Sequence, residues 1–223
     1  MKIIVAISKV SDGNMSNSLV KTDKKIIKNR TAFLAKNKID IDQTTKVAIV
    51  YNGENYCRYF EVFEKDKGKG MEYSDINAAD ALVTREINHA LFLPIADCVG
   101  AVIYDPKIHI LMVSHLGRHS LEQNGGYKSV KFLVDNYKCD PSKIFVWLTP
   151  APGPESYPMH KFNNQSIKDV VFHQIQSAGI LKNNITDNPA DTSKDLGYFS
   201  HSEFLKGNRV VDGRFAIVAM MKK

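Results

Sequence analysis

Apolar and polar positions along this chain change period often, in short blocks that read as a mixture of strands and helices. The run Lys2-Ile3-Ile4-Val5-Ala6-Ile7 is too short for a secretory apolar region followed by a cleavage site, and it predicts a first strand. A polar, turn-rich stretch from Lys9 to Ser18 follows, centred on Asp12-Gly13-Asn14. Thr22 and Asp23 offer capping oxygens to a helix reaching about Asn37, with Ile26/Ile27 and Phe33/Leu34 a heptad apart on one side. Val47–Val50 and Tyr56–Phe63 are rich in β-formers and flank Asn52-Gly53, a hairpin signal if the two runs pair directly. Ala81–Thr84 and Ala90–Pro94 read as short strands. Val99–Tyr104 and His109–Ser114 are apolar runs split by Asp105-Pro106-Lys107, which predicts a hairpin. After Asn124-Gly125-Gly126, Val130, Leu133, Val134 and Tyr137 recur at helical spacing. Ile144–Leu148 is a strand that runs into the proline-dense loop Thr149–Pro154. Ile167, Val170, Val171 and Ile175 mark a last long helix closed by Gly179, and Phe215–Met221 a final strand.

The blocks do not alternate as clean βαβ units. The expected fold is therefore α/β in the α+β sense, with mixed β-sheets flanked by helices in a single domain over residues 1–223. A hydrophobic share of 43% with 24% charged residues fits a globular chain and argues against disorder. Net charge is +6, but no basic stripe is interleaved with aromatics, so a nucleic-acid partner is not expected. No segment approaches the ~20 apolar residues of a membrane span. Three widely spaced cysteines are not a disulfide framework and suit a reducing, cytoplasmic setting.

The hairpin prediction has a chemical consequence. Cys98 stands just before one of its strands and His115 just after the other, so their outer ends bring a thiol beside an imidazole. Such a pair can bind zinc. Alternatively the imidazole takes the thiol proton and makes a nucleophile, with Asp97 as an orienting carboxylate. Arg118, His119 and, more distantly, Arg214 are candidates to meet phosphate.

Several elements, in order, resemble the laccase-domain or polyphenol oxidase-like family, which includes purine nucleoside phosphorylase-type enzymes. They are Asn29-Arg30, Asp80-Ala81-Leu82-Val83-Thr84, Ala96-Asp97-Cys98, His115-Leu116-Gly117-Arg118, the stretch Thr149 to Tyr157, Tyr198-Phe199-Ser200-His201 and Asp212-Gly213-Arg214. The resemblance implies an α/β fold with mixed sheets and a site where two histidines and one cysteine hold zinc. It also implies phosphorolysis of purine nucleosides or deamination of adenosine, with a nucleoside and phosphate as small-molecule partners.

On that resemblance Cys98 and His115 carry over as ligands, but Asn52 stands where the family has its first histidine. An amide oxygen is a poor zinc donor beside thiolate and imidazole, so the expectation is weak zinc binding or none, with His119 a possible substitute. Asp191 and Ser202 also depart from the family pattern. A multicopper centre is not expected, since none of the seven histidines forms an H-x-H pair. Three readings stand: a divergent purine-nucleoside enzyme, a binding protein that has lost the metal site, and a metal-free cysteine hydrolase.

Overall fold

The longest apolar runs of the chain become central strands because both of their faces are covered. A computed structural model describes residues 1–16, 23–51, 53–72 and 78–223. In chain order the elements are β1 (Lys2–Ile7), α1 (Lys24–Lys36), β2 (Thr44–Lys46), β3 (Tyr59–Glu61), β4 (Ala81–Thr84), β5 (Ala90–Ile95), β6 (Val99–Asp105) and β7 (Ile110–Leu116). Then come α2 (Arg118–Glu122), α3 (Gly125–Tyr137), β8 (Phe145–Leu148), α4 (Ile167–Ser177), β9 (Ile185–Asp187), α5 (His201–Leu205) and β10 (Phe215–Lys222). The strands form two mixed sheets, one ordered β1-β10-β5-β2 and the other β3-β4-β7-β6-β8-β9.

The sheets stack face to face. Leu91, Leu93, Ile217 and Ala219 of the first meet Leu82, Val102, Leu111 and Val113 of the second in one buried cluster. On the far side of the six-stranded sheet, Ala101, Ile103 and Met112 pack on Val130 and Leu133 of α3 and Val171 and Ile175 of α4. On the far side of the four-stranded sheet, Phe92 and Val218 pack on Phe33 and Leu34 of α1. Alternate residues of β5, β6, β7 and β10 thus feed different layers, and these strands carry no polar face. Each fully buried Leu, Ile or Phe contributes roughly 1.5–3 kcal/mol of transfer free energy. No helix among the described residues is long and apolar enough to cross a membrane.

The α/β expectation with mixed sheets and flanking helices holds. Asp23 caps α1, accepting from the Lys25 N–H at 2.8 Å; Thr22 lies outside the described residues. The β6–β7 hairpin forms with Val99 opposite Leu116. The two runs that flank Asn52-Gly53 do not pair with each other; Asn52 itself lies outside the described residues. The strand expected at Val47–Val50 sits earlier, as β2, and pairs parallel with β5, while β3 pairs parallel with β4. The reason lies in where the carbonyls beyond Val47 go. Ala48 accepts from the Ala79 N–H at 2.9 Å and Val50 from the Arg58 Nη2 at 3.0 Å, so beyond the buried Val47 the half-buried run continues without forming a ladder.

Candidate functional site

The chain passes from the four-stranded sheet to the six-stranded one through Ala96-Asp97-Cys98, between the end of β5 and the start of β6. Asp97 takes φ 68 there, a left-handed conformation uncommon outside glycine, asparagine and aspartate. Its carboxylate holds the turn: Thr192 Oγ1 donates to Oδ1 at 3.0 Å and the Ser202 N–H to Oδ2 at 2.7 Å. Asp97 was expected to orient His115, and this is corrected. Both of its oxygens are engaged with the segments around Thr192 and Ser202, where they anchor the wall carrying Cys98.

His115 lies within β7 rather than just after it, opposite Gly100 of β6. Its backbone N–H donates to the Asp80 carbonyl at 2.8 Å. The side chain is 4% exposed, and neither ring nitrogen has a hydrogen-bond partner among the described residues. A side chain at Gly117 would place its Cβ 2.9 Å from both Cys98 Sγ and His115 Nε2, and 2.8 Å from His115 Cε1. The sulfur and the imidazole therefore lie within about 6 Å of each other, across a gap left open by glycine. The hairpin brings together the two residues it was expected to.

Burial sets the protonation of both groups. Desolvation, followed by the Asp97 charge, pushes the Cys98 thiol up to about 12; the nearby Arg214 and Arg118 charges and the Arg118 backbone N–H oppose this only in part. Desolvation pulls His115 down to about 4. Desolvation thus favours the thiol and the neutral imidazole over the thiolate–imidazolium pair.

The pair faces a cavity of about 950 Å³ whose lining includes Lys46, Tyr51, Arg118, His119, Tyr157 and Arg214. The Arg118 guanidinium lies 4.7 Å over the Tyr157 ring, and its buried Nε has no partner among the described residues. Arg214 is committed to Asp212 Oδ1 at 2.7 Å and to the Gly213 carbonyl at 2.8 Å. His119 stacks on Tyr56, ring centres 4.7 Å apart, with Tyr51 edge-on to both His119 and His115. Asn52 lies outside the described residues. Among the described residues no group of three or more His, Cys, Asp or Glu comes together to hold a metal ion. Cys98 and His115 supply two donors, and zinc takes at least three from protein, so the described residues do not by themselves fit the ion.

The pairing of Asp80 with Arg58 was not predicted from the sequence. Asp80, 1% exposed, accepts from Arg58 Nε at 2.7 Å, from Nη2 at 3.2 Å and from the Arg58 N–H at 3.0 Å. Because the same guanidinium holds the Val50 carbonyl, the pair ties the Tyr51 segment to the strand that supports His115. Its only signal in the sequence is Asp80 at the head of the element Asp80-Ala81-Leu82-Val83-Thr84.

Comparison with known proteins adds four findings. Residues 5–170 match the family model described as multi-copper polyphenol oxidoreductase laccase. A relative named purine nucleoside phosphorylase YlmD, from Bacillus subtilis (strain 168), is 31% identical over 96 residues, covering 42% of this chain and 34% of that protein. The match thus spans about a third of that relative's length. The crystal structure of YlmD from Geobacillus stearothermophilus superposes with a TM-score of 0.85 at 19% identity, covering 99% of this chain and 92% of that one. A hypothetical protein YfiH of Bacillus licheniformis gives 0.83 at 20% identity, covering 99% and 93%.

Proposed function

This chain belongs to the multi-copper polyphenol oxidoreductase laccase family, and from that premise we propose that its cavity binds a purine nucleoside and processes it at Cys98 and His115. The observation that carries the proposal is the state of His115. A buried imidazole with both nitrogens unpartnered costs free energy unless something enters the cavity to meet it. Beside it lie a thiol, a π-stacked guanidinium and a group of aromatic rings, which suit a flat, polar heterocycle joined to a hydroxylated sugar. The relative named a purine nucleoside phosphorylase supports the choice of substrate class.

Two reactions fit such a ligand. In phosphorolysis a phosphate oxygen bonds to the ribose C1′ as the bond to the purine nitrogen breaks; the electron pair stays with the base, which takes up a proton. In deamination water adds to the purine ring of adenosine and ammonia leaves. In either case the role assigned to His115 is proton transfer to or from the base, with one nitrogen donating and the other accepting. Cys98 lines the same gap as a neutral donor, and Arg118 holds an oxyanion. Binding without turnover is the second reading, favoured by the absence, among the described residues, of a third metal donor.

The test is release of free base from inosine plus phosphate, and of ammonia from adenosine, by the purified protein. Turnover that falls by about 100-fold or more in His115→Ala supports the enzyme reading, on the usual scale of general acid–base catalysis. Binding of adenosine or inosine without turnover selects the second reading. No binding of either nucleoside refutes both.

A further inference from the structure

Lys46 and Arg30 differ from the other cations around them. The loop beside β2 carries Lys67 and Lys69, and both are neutralised, by Glu64 and Asp66, each at 2.8 Å. That loop is tied to β2, since the Lys46 N–H donates to the Lys69 carbonyl at 3.0 Å. Lys46 itself lines the cavity, and no carboxylate among the described residues pairs with its ammonium. Arg30 is 1% exposed. Its Nε donates to the Met15 carbonyl at 2.8 Å and its Nη1 to the carbonyls of Gly70, at 3.3 Å, and Met71. Carbonyls satisfy donors but do not cancel charge.

The two cations are neighbours on one face. The Arg30 guanidinium lies 5.8 Å over the Phe92 ring, and Phe92 is the register partner of Lys46 between β5 and β2. Burial, with the Arg30 charge second, pulls Lys46 down to about 8. Arg30 is buried and Lys46 half-buried; charges removed from water are normally paired, and two like charges side by side cost more still. The rest of the cavity wall does not compensate. Asp97 is the only acidic residue among the described lining residues, set against Arg118 and Arg214 as well as Lys46, and it is held at the Cys98 turn by Thr192 and Ser202.

We propose that Lys46 anchors a phosphate group of the ligand, with Arg30 adding charge from beside it without contact. This rests on the nucleoside reading of the cavity and extends it. The occupant is then a nucleoside carrying a phosphate ester, or a nucleoside bound together with inorganic phosphate. Every residue from Lys46 to Tyr51 lines the cavity, and the segment spans at most about 18 Å, so the anion subsite and the Tyr51, Tyr56 and His119 rings belong to one cavity. The cavity volume of about 950 Å³ is near the upper end for small-molecule sites and leaves room for a phosphorylated ligand.

The experiment is calorimetric titration at pH 7 of the wild type, Lys46→Gln and Lys46→Arg, with melting temperatures taken first to confirm folding. The ligands are adenosine, adenosine 5′-monophosphate, inorganic phosphate, and adenosine in the presence of phosphate. The monophosphate, or adenosine with phosphate, should bind the wild type at least about tenfold more tightly than adenosine alone, and which of the two does so identifies the source of the anion. Lys46→Gln should erase that advantage and Lys46→Arg should keep it. Equal affinity for adenosine and both phosphate-containing ligands overturns the proposal while leaving the nucleoside reading intact. So does a phosphate advantage that survives Lys46→Gln. Lys46-dependent binding of phosphate alone, with no nucleoside binding, keeps the anion subsite and removes the nucleoside reading. Absence of all binding removes both.

Discussion

Gly117→Ala tests the gap between Cys98 and His115 with a single methyl group. The backbone there has φ −97 and ψ 176, which alanine adopts without strain, so any effect comes from the new atom. That atom would sit 2.8 Å from His115 Cε1 and 2.9 Å from Cys98 Sγ and His115 Nε2. These separations are well inside van der Waals contact, so the ring and the sulfur must move apart or turn into the cavity. Overpacking of this kind costs about 1–3 kcal/mol, and alanine in place of glycine at the start of α2 adds up to about 1 kcal/mol. The cavity offers room to relax, so a net loss of about 2 kcal/mol is expected, or a melting temperature about 4–8 °C lower in a chain of this size. Gly100→Ala is the control. Its Cβ would meet Ile217 Cγ2 at 2.9 Å, with Ile95 Cδ1 and Thr149 Cγ2 at 3.2 Å. It should destabilise to a similar degree without filling the gap. Calorimetric titration with adenosine then separates the two: Gly117→Ala should lose at least about tenfold in affinity and Gly100→Ala little. Adenosine binding that survives Gly117→Ala while the melting temperature drops as expected would refute the idea that a ligand meets Cys98 and His115 together.

Asn52→His should raise zinc uptake to about one equivalent by elemental analysis, and adding Cys98→Ala should abolish it; no uptake means that Asn52 does not stand on a ligand position. Arg58→Ala leaves the Asp80 carboxylate buried without its partner and should cost about 3–5 kcal/mol in denaturant unfolding, whereas a loss under about 1 kcal/mol would show the pair to be a surface interaction. Stability should also fall between pH 6.5 and about 4, because burial pulls His89 down to about 4: the unfolded chain takes up a proton in that window and the folded chain does not. The shift is worth about 3 kcal/mol. His115 moves in the same direction, so His89→Gln should flatten the urea midpoint's pH dependence by about half, and an unchanged profile would sink the assignment.

What could be read from the sequence and what could not divide along a physical line. Periodicity reports which faces are buried, and it located α1, α3, α4 and the β6–β7 hairpin because their apolar patterns are long and local. The hairpin register alone then sufficed to set Cys98 beside His115. Val47–Val50 was misplaced because, past the buried Val47, the Ala48 and Val50 carbonyls are captured by Ala79 and by Arg58; hydrophobicity cannot distinguish that from a ladder. The short α2 and α5 carry too few turns for a period to show. Asp97 was assigned to the wrong partner for a related reason: adjacency to Cys98 in sequence suggested a catalytic carboxylate, whereas its acceptors are filled by Thr192 and Ser202 from 95 and 105 residues away.

The residues that define the site most sharply are those whose meaning depends on what is missing around them. His115 was legible as a histidine at a strand end, but not as one with both nitrogens unpartnered. Arg30 was legible as half of an Asn-Arg pair on a helix, but not as a buried cation held by carbonyls alone. Lys46 drew no notice, because a lysine after two threonines reads as an ordinary polar position. An unsatisfied donor or an uncompensated charge is a property of a closed environment, built here from segments 15 to 41 residues apart around Arg30. No local pattern encodes it. Such absences are costly in a folded chain, and for that reason they say more about what the cavity is built to receive than the residue types that surround them.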